Sequence, residues 1–149
     1  MRLLAEVIGR FDPARDANAL LYTPLAESLT ARHTRRYLVD YEGDEAAVIA
    51  FLTKVLADPV SHEFRLGPAP ALPGYAFYLD YGMKPGALDH EKETILSHHR
   101  STTASFTITG LKIQQRVYLF GPPTAATHAD RFVKDIVNPA IHTWLVTAA

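Results

Sequence analysis

Seven histidines, at positions 33, 62, 90, 98, 99, 128 and 142, are the side chains of this protein best suited to ligate a metal or carry a proton near neutral pH. Their spacing points away from both roles. No pair forms the His-Glu-x-x-His pattern that places two imidazoles on one helix face, and adjacent side chains such as His98 and His99 diverge on a helix. His62 and His142 stand at matching places in two similar segments, where they read as structural or edge residues that only the fold could bring together. Ser61, Ser97, Ser101 and Ser105 lack the Gly-x-Ser-x-Gly turn that exposes a nucleophile. Glu91 with Glu93, and Asp44 with Glu45, read as first-turn helix charges. The run Lys84-Pro85-Gly86-Ala87-Leu88-Asp89 lies between a strand and a helix, as a phosphate loop would. With one glycine and no following Lys-Ser or Lys-Thr, it reads as a tight turn instead. Tyr75, Phe77, Tyr78 and Tyr81 could stack on bases, but no cations accompany them, which favours core or interface packing.

Composition narrows the classes further. The 149 residues carry 15 Lys plus Arg against 16 Asp plus Glu, a formal charge of -1 that does not suit the neutralisation of many phosphates. Without cysteine there is no disulfide, thiolate nucleophile, iron–sulfur cluster or Cys-type zinc site. Glu6 falls where the apolar part of a signal peptide would run, so the expected location is cytoplasmic. Neither a metal, a cofactor, a nucleic acid nor a membrane is expected as a partner, and a homodimer through exposed edge strands is plausible.

The elements that must position these residues divide around Gly67-Pro68-Ala69-Pro70-Ala71-Leu72-Pro73-Gly74, which cannot hold a helix or a ladder and reads as a linker between segments 1–66 and 75–149. The segments resemble each other. Asp58-Pro59-Val60-Ser61-His62 and Asn138-Pro139-Ala140-Ile141-His142 match at a constant offset of 80 residues, Asn138 against Asp58, and each follows an amphipathic helix that stops before its proline. Those helices carry Val48, Leu52, Val55 and Leu56, and Ala129, Phe132, Val133, Ile136 and Val137. Strands are expected from Leu3 to Ile8, from Arg36 to Tyr41, from Tyr75 to Met83 and from Leu111 to Phe120. Another is expected over Ser105 to Thr109, turning at Gly110. Asp16 and Asp89 are candidate N-caps, the first for a helix carrying Leu21, Leu25 and Leu29 that Pro24 would kink. Each half thus reads strand, helix, strand, helix, strand. The economical packing is an α+β, two-layer unit with helices on one face of an antiparallel sheet, the two halves joined as a pseudo-symmetric pair.

Two signatures carry a resemblance. Lys84-Pro85-Gly86-Ala87-Leu88-Asp89 is similar to the Lys-Pro-Gly-Val-x-Asp of the PurS family, the small subunit of phosphoribosylformylglycinamidine synthase, and Asn138-Pro139-Ala140-Ile141 to its Asn-Pro-x-Ile. Tyr118-Leu119-Phe120-Gly121, Arg36 to Gly43 and Val55 to Val60 extend the likeness over nearly the whole chain. The tandem arrangement resembles the N-terminal region of single-chain synthases, where two PurS-like halves related to the ferredoxin-like fold imitate a dimer. The first copy departs from the pattern, having Phe11-Asp12-Pro13-Ala14-Arg15-Asp16 in place of Lys-Pro-Gly. The second has Asp89-His90-Glu91 where the family often has Asp-Pro-x-Gly, and diverges over Ser97 to Thr107.

The resemblance implies a component without an active site of its own, within an ATP-dependent glutamine amidotransferase complex of purine biosynthesis. Its partners would be the glutaminase and synthetase parts, which it would bridge while aiding ammonia transfer. Lys84, Pro85, Gly86 and Asp89 are the expected partner-contact residues, because a preorganised exposed turn loses little entropy on docking. The alternative is a stand-alone α+β protein that binds a small metabolite or serves assembly on the same scaffold.

Overall fold

The computed structural model describes every residue except 103 and 104. Its strands are β1 (Arg2–Gly9), β2 (Arg15–Asp16), β3 (Thr30–Gly43), β4 (His62–Leu66), β5 (Phe77–Met83), β6 (Phe106–Phe120) and β7 (His142–Ala148). The α-helices are α1 (Glu45–Leu56), α2 (His90–Arg100) and α3 (Ala129–Ile136), with 3-10 turns at Ala17–Leu20 and Pro123–His128. All strands join one antiparallel sheet in the order β4-β1-β3-β6-β5-β7, and β2 adds to the first residues of β3. The protein is therefore α+β, as its alternating pattern predicts.

The central pair is longer than the sequence suggests. β3 runs over 14 residues and β6 over 15, paired from Thr30 against Phe120 to Gly43 against Phe106. Gly110 does not turn the chain. It sits opposite Asp40, beside a register shift that gives β6 one extra residue, and a β-carbon there would stand 3.0 Å from Asp40 Oδ2. The bulge has a packing consequence. It reverses the side-chain parity of β6, so that Phe106 and Ile108, like Leu111 and Ile113 beyond it, meet the same apolar cluster.

The sheet buries two such clusters against its helices. One joins Leu3, Ala5 and Val7 of β1 and Tyr37, Val39 and Tyr41 of β3 to Val48, Leu52 and Leu56 of α1 and to Ile95 of α2. The other joins Leu29, Ala31, Phe77, Val117 and Leu119 to Phe132 of α3 and to Ala17 and Leu21. Each cluster thus draws on both halves of the chain. Local chemistry starts the helices: the Asp44 carboxylate accepts the Ala46 N–H and the Asp89 carboxylate the Lys92 N–H.

The expected helix over Leu21 to Leu29 does not form. Asp16 does accept the Asn18 N–H, but only one 3-10 turn follows. Asn18 then organises a loop instead, its amide donating to the Glu27 carbonyl and accepting the Leu25 N–H. Pro24 removes the donor that a continuing helix would need.

The linker is a strap. The chain leaves β4 at one edge and must enter β5 near the other, crossing four strand spacings of about 4.8 Å, or about 19 Å. It crosses the face opposite the helices. Gly67 donates to the Leu4 carbonyl, Ala76 donates to the Leu119 carbonyl, and Ala71 between them is buried. Gly67 and Gly74, with φ of +107° and +83°, bend the two ends of this crossing.

Candidate functional site

β5 ends at Met83, and its pairing with β6 stops at Gln115, so the earlier part of β6 has no strand beside it on that side. The turn Lys84 to Asp89 fills the gap. Lys84 donates its N–H to the Ile141 carbonyl at 2.8 Å, and Ala87 donates to the Lys84 carbonyl at 3.0 Å. Gly86 has φ +87°, which a side chain would strain, and the space beside it is open. Lys84, Pro85, Gly86 and Asp89, the residues expected to make contacts, all line a cleft of about 230 Å³. Lys92 from α2 and Lys112 from β6 line it too, together with apolar Met83, Leu111 and Ile113. No side chain of these three lysines lies within 4 Å of a carboxylate among the described residues.

A smaller cleft of about 100 Å³ adjoins it, sharing Met83, Asp89 and Ile113 and adding Glu91 and His142. Glu91 is more than a first-turn charge. Its Oε1 accepts the Tyr37 hydroxyl at 2.6 Å and an Arg35 N–H at 3.1 Å, which ties α2 to β3. Burial, followed by the hydrogen bond to Glu91, pushes the Tyr37 phenol well above its ordinary value.

Beneath the strap lies a polar cluster that the sequence reading missed. Glu6, Thr34, Asp80 and Arg116 are each no more than 3% exposed. The Arg116 guanidinium grips Asp80 with two hydrogen bonds, Nε to Oδ1 at 2.6 Å and Nη2 to Oδ2 at 2.8 Å, and donates from Nη1 to Glu6 at 3.0 Å. Glu6 also accepts from the Tyr118 hydroxyl at 2.6 Å and from Thr34 at 2.8 Å. Arg36 stands 3.7 Å from Asp80, so two cations meet two carboxylates. The strap completes the set, since the Ala71 N–H is shared by Glu6 and Tyr118.

Burial lowers the Arg116 pKa, but hydrogen bonds to Asp80 and Tyr118 and the two carboxylate charges outweigh it and leave the pKa raised. The Tyr118 phenol is pushed up to about 12 by burial and by its bond to Glu6. Every member is engaged, so the cluster holds the fold and offers no free acid or base. The available signal was a charge beside apolar residues in each strand: Glu6 in β1, Asp80 in β5 and Arg116 ahead of Val117-Tyr118-Leu119 in β6.

The fold does not pair His62 with His142. They lie on the opposite edge strands β4 and β7. Each does the same local work: His62 Nδ1 accepts the Asp58 N–H and His142 Nδ1 accepts the Asn138 N–H, both at 3.0 Å. The Asp58 and Asn138 side chains accept the N–H groups of Val60 and Ala140 at 2.9 and 3.0 Å. These are structural histidines closing two matching turns. Tyr75, Tyr78 and Tyr118 pack on one another, and Arg116 lies 4.2 Å over the Tyr78 ring, so those aromatics border the buried polar cluster. His99 stacks on Phe106 at 4.8 Å, away from any metal-like grouping among the described residues.

No helix among the described residues is long and apolar enough to cross a membrane. No protein-family model, curated protein or solved structure matches the chain.

Proposed function

We propose that this protein is a non-catalytic, tandem PurS-like component of phosphoribosylformylglycinamidine synthase, bridging the glutaminase and synthetase parts and aiding ammonia transfer. The observation that carries this reading is the strand order. From either edge inward, the sheet presents the last strand of a half, then its first, then its middle strand: β4-β1-β3 from one side and β7-β5-β6 from the other. Two PurS-like halves joined as a pseudo-dimer would have this order, with their middle strands paired across the pseudo-axis.

Two further features support the repeat. The matching Asx-Pro-x-x-His turns carry the same hydrogen bonds, and α2 of the second half covers the first half's cluster alongside α1. The first half has lost its Lys-Pro-Gly turn and the following helix, so the second half's turn is the one left to contact a partner.

The test is co-purification with a synthetase and a glutaminase from the same cell, followed by amidine formation with and without this chain. A complex whose glutamine-dependent turnover needs this protein, while its ammonia-dependent turnover does not, is the expected result. Absence of both complex and effect would transfer the weight to the metabolite-binding alternative, which the 230 Å³ cleft favours. Within the assembly, Lys84→Ala should weaken association about tenfold, a loss on the scale of one charge-assisted hydrogen bond. Asp89→Ala should weaken it similarly while also costing about 1 kcal/mol of stability through the lost helix cap. Unchanged assembly in both variants would remove the turn from the interface.

A further inference from the structure

We infer that the outer edge of β7 is an interface through which two copies of this chain pair, antiparallel, about a two-fold axis at Leu145. β7 is the last strand of the sheet and, among the described residues, pairs only with β5. The ends of that ladder fix the direction of its backbone groups. The Ile141 carbonyl accepts the Lys84 N–H at 2.8 Å, and Ala149 donates to the Ala76 carbonyl at 3.0 Å. Antiparallel pairing alternates, so Thr143, Leu145 and Thr147 direct their backbone groups to β5, whereas Trp144, Val146 and Ala148 direct theirs outward. Unmatched N–H and C=O groups along an edge are a template for another strand.

The occupant follows from the edge itself. A two-fold axis at Leu145 sets Trp144 against Val146 of the second copy, and Ala148 against His142 of the second copy. All of these are outward-directed residues, so the register closes with hydrogen bonds donated by Trp144, Val146 and Ala148 of each strand. The His142 N–H is already given to the Asn138 carbonyl at 2.8 Å, which leaves its own carbonyl to accept. The side chains agree with this register. Leu145, 63% exposed, meets its own copy at the axis on one face, and Trp144, 46% exposed, crosses to Val146 on the other. No charge opposes itself, because β7 holds no Asp, Glu, Lys or Arg. The opposite edge is guarded. β4 has five residues against seven, carries Glu63 and Arg65 where the repeat places Thr143 and Leu145, and runs into Gly67-Pro68.

The inference does not depend on the assembly reading, because association is measured on this chain alone. A sedimentation-velocity series on the wild-type chain should show a reversible dimer with a dissociation constant on the order of 10–100 µM, as suits a contact through one strand. In amide exchange, Trp144, Val146 and Ala148 should slow as concentration rises, while Leu145 is protected throughout. Leu145→Lys and Leu145→Glu change an exposed side chain and leave the β5 ladder intact, but each sets like charges across the axis. Each alone should weaken association about tenfold, through the lost leucine contact and the repulsion. An equimolar mixture of the two should restore it, because lysine then faces glutamate. A wild-type chain that stays monomeric throughout that range, a dimer untouched by either variant, or a mixture no better than its parts would overturn the interface. Growth into species longer than a dimer would overturn it as well, by assigning the edge to β4 of the next copy.

Discussion

One face of the sheet is buried by its helices and the middle of the other by the strap, and by different means. The helix-covered face is apolar and is filled by side chains such as Leu52, Tyr37 and Phe132, each 0% exposed. The opposite face carries Glu6, Asp80, Arg36 and Arg116 under a strap of proline, alanine and glycine. The first face is held by non-directional burial, where a lost side chain costs its transfer energy plus a cavity. The second is held by a closed set of hydrogen bonds whose value lies in its completeness, because any buried charge left alone is expensive. Burial alone therefore does not tell how a face is stabilised, and the two faces should fail differently when cut.

The largest test sets one deletion on each face side by side. Arg116→Met leaves Glu6 without its counter-charge and Asp80 with Arg36 alone, and should cost about 3–5 kcal/mol, as much as Phe132→Ala on the other face. The faces part in the rescue experiment. Adding Glu6→Met and Asp80→Leu to Arg116→Met should recover at least half of the loss in denaturant unfolding, since an apolar set replaces an ionic one of similar volume. No second substitution should repair Phe132→Ala so fully. If Arg116→Met alone costs less than about 1 kcal/mol, the contrast is broken.

A smaller effect comes from alkaline pH. The folded state holds Tyr118 protonated with its pKa pushed up to about 12, whereas in the unfolded chain a tyrosine titrates near 10. Its contribution is complete below pH 10 and is lost as pH rises from there toward 12, by an amount on the order of 2–3 kcal/mol. Tyr118→Phe should flatten that part of the stability curve, measured as the urea midpoint from pH 9 to 11.5. Tyr37, raised on the helix side by burial and Glu91, should still contribute a fall of its own.

The smallest effect isolates the strap. Ala71→Pro removes the one N–H that the strap gives to Glu6 and Tyr118, and should cost about 1–3 kcal/mol. Its amide should be among the slower-exchanging ones outside the strands. Fast exchange at Ala71, with no stability change in the variant, would show that the polar face is closed without the strap.

Much of the helix-covered face was legible in the residues. The spacing of Val48, Leu52 and Leu56, the proline stops at Pro59 and Pro139, and the cap at Asp89 are local matters, decided within a turn or two of chain, whereas Asp44, read as a first-turn charge, is the cap of α1. The Lys84 to Asp89 turn was likewise legible as a tight turn ahead of a helix. What failed to show was whatever depends on side-chain bonds that span a loop or on partners far along the chain. The Asn18 side chain replaced an expected helix with a loop, and Gly110 proved to be a bulge because β3 runs alongside it.

The sequence by itself determined most of the elements, the α+β class and the match between the segments around His62 and His142, because caps, prolines and side-chain periodicity act over a few residues. Only the tertiary structure decided that Lys92 and Lys112 share a cleft with Lys84, and that Arg116 reaches Glu6 across 110 positions of chain. The physical reason is register. A strand's alternation says which residues share a face, but the neighbour across the ladder, and the strap that covers that face, are set by which strands pair and in what order.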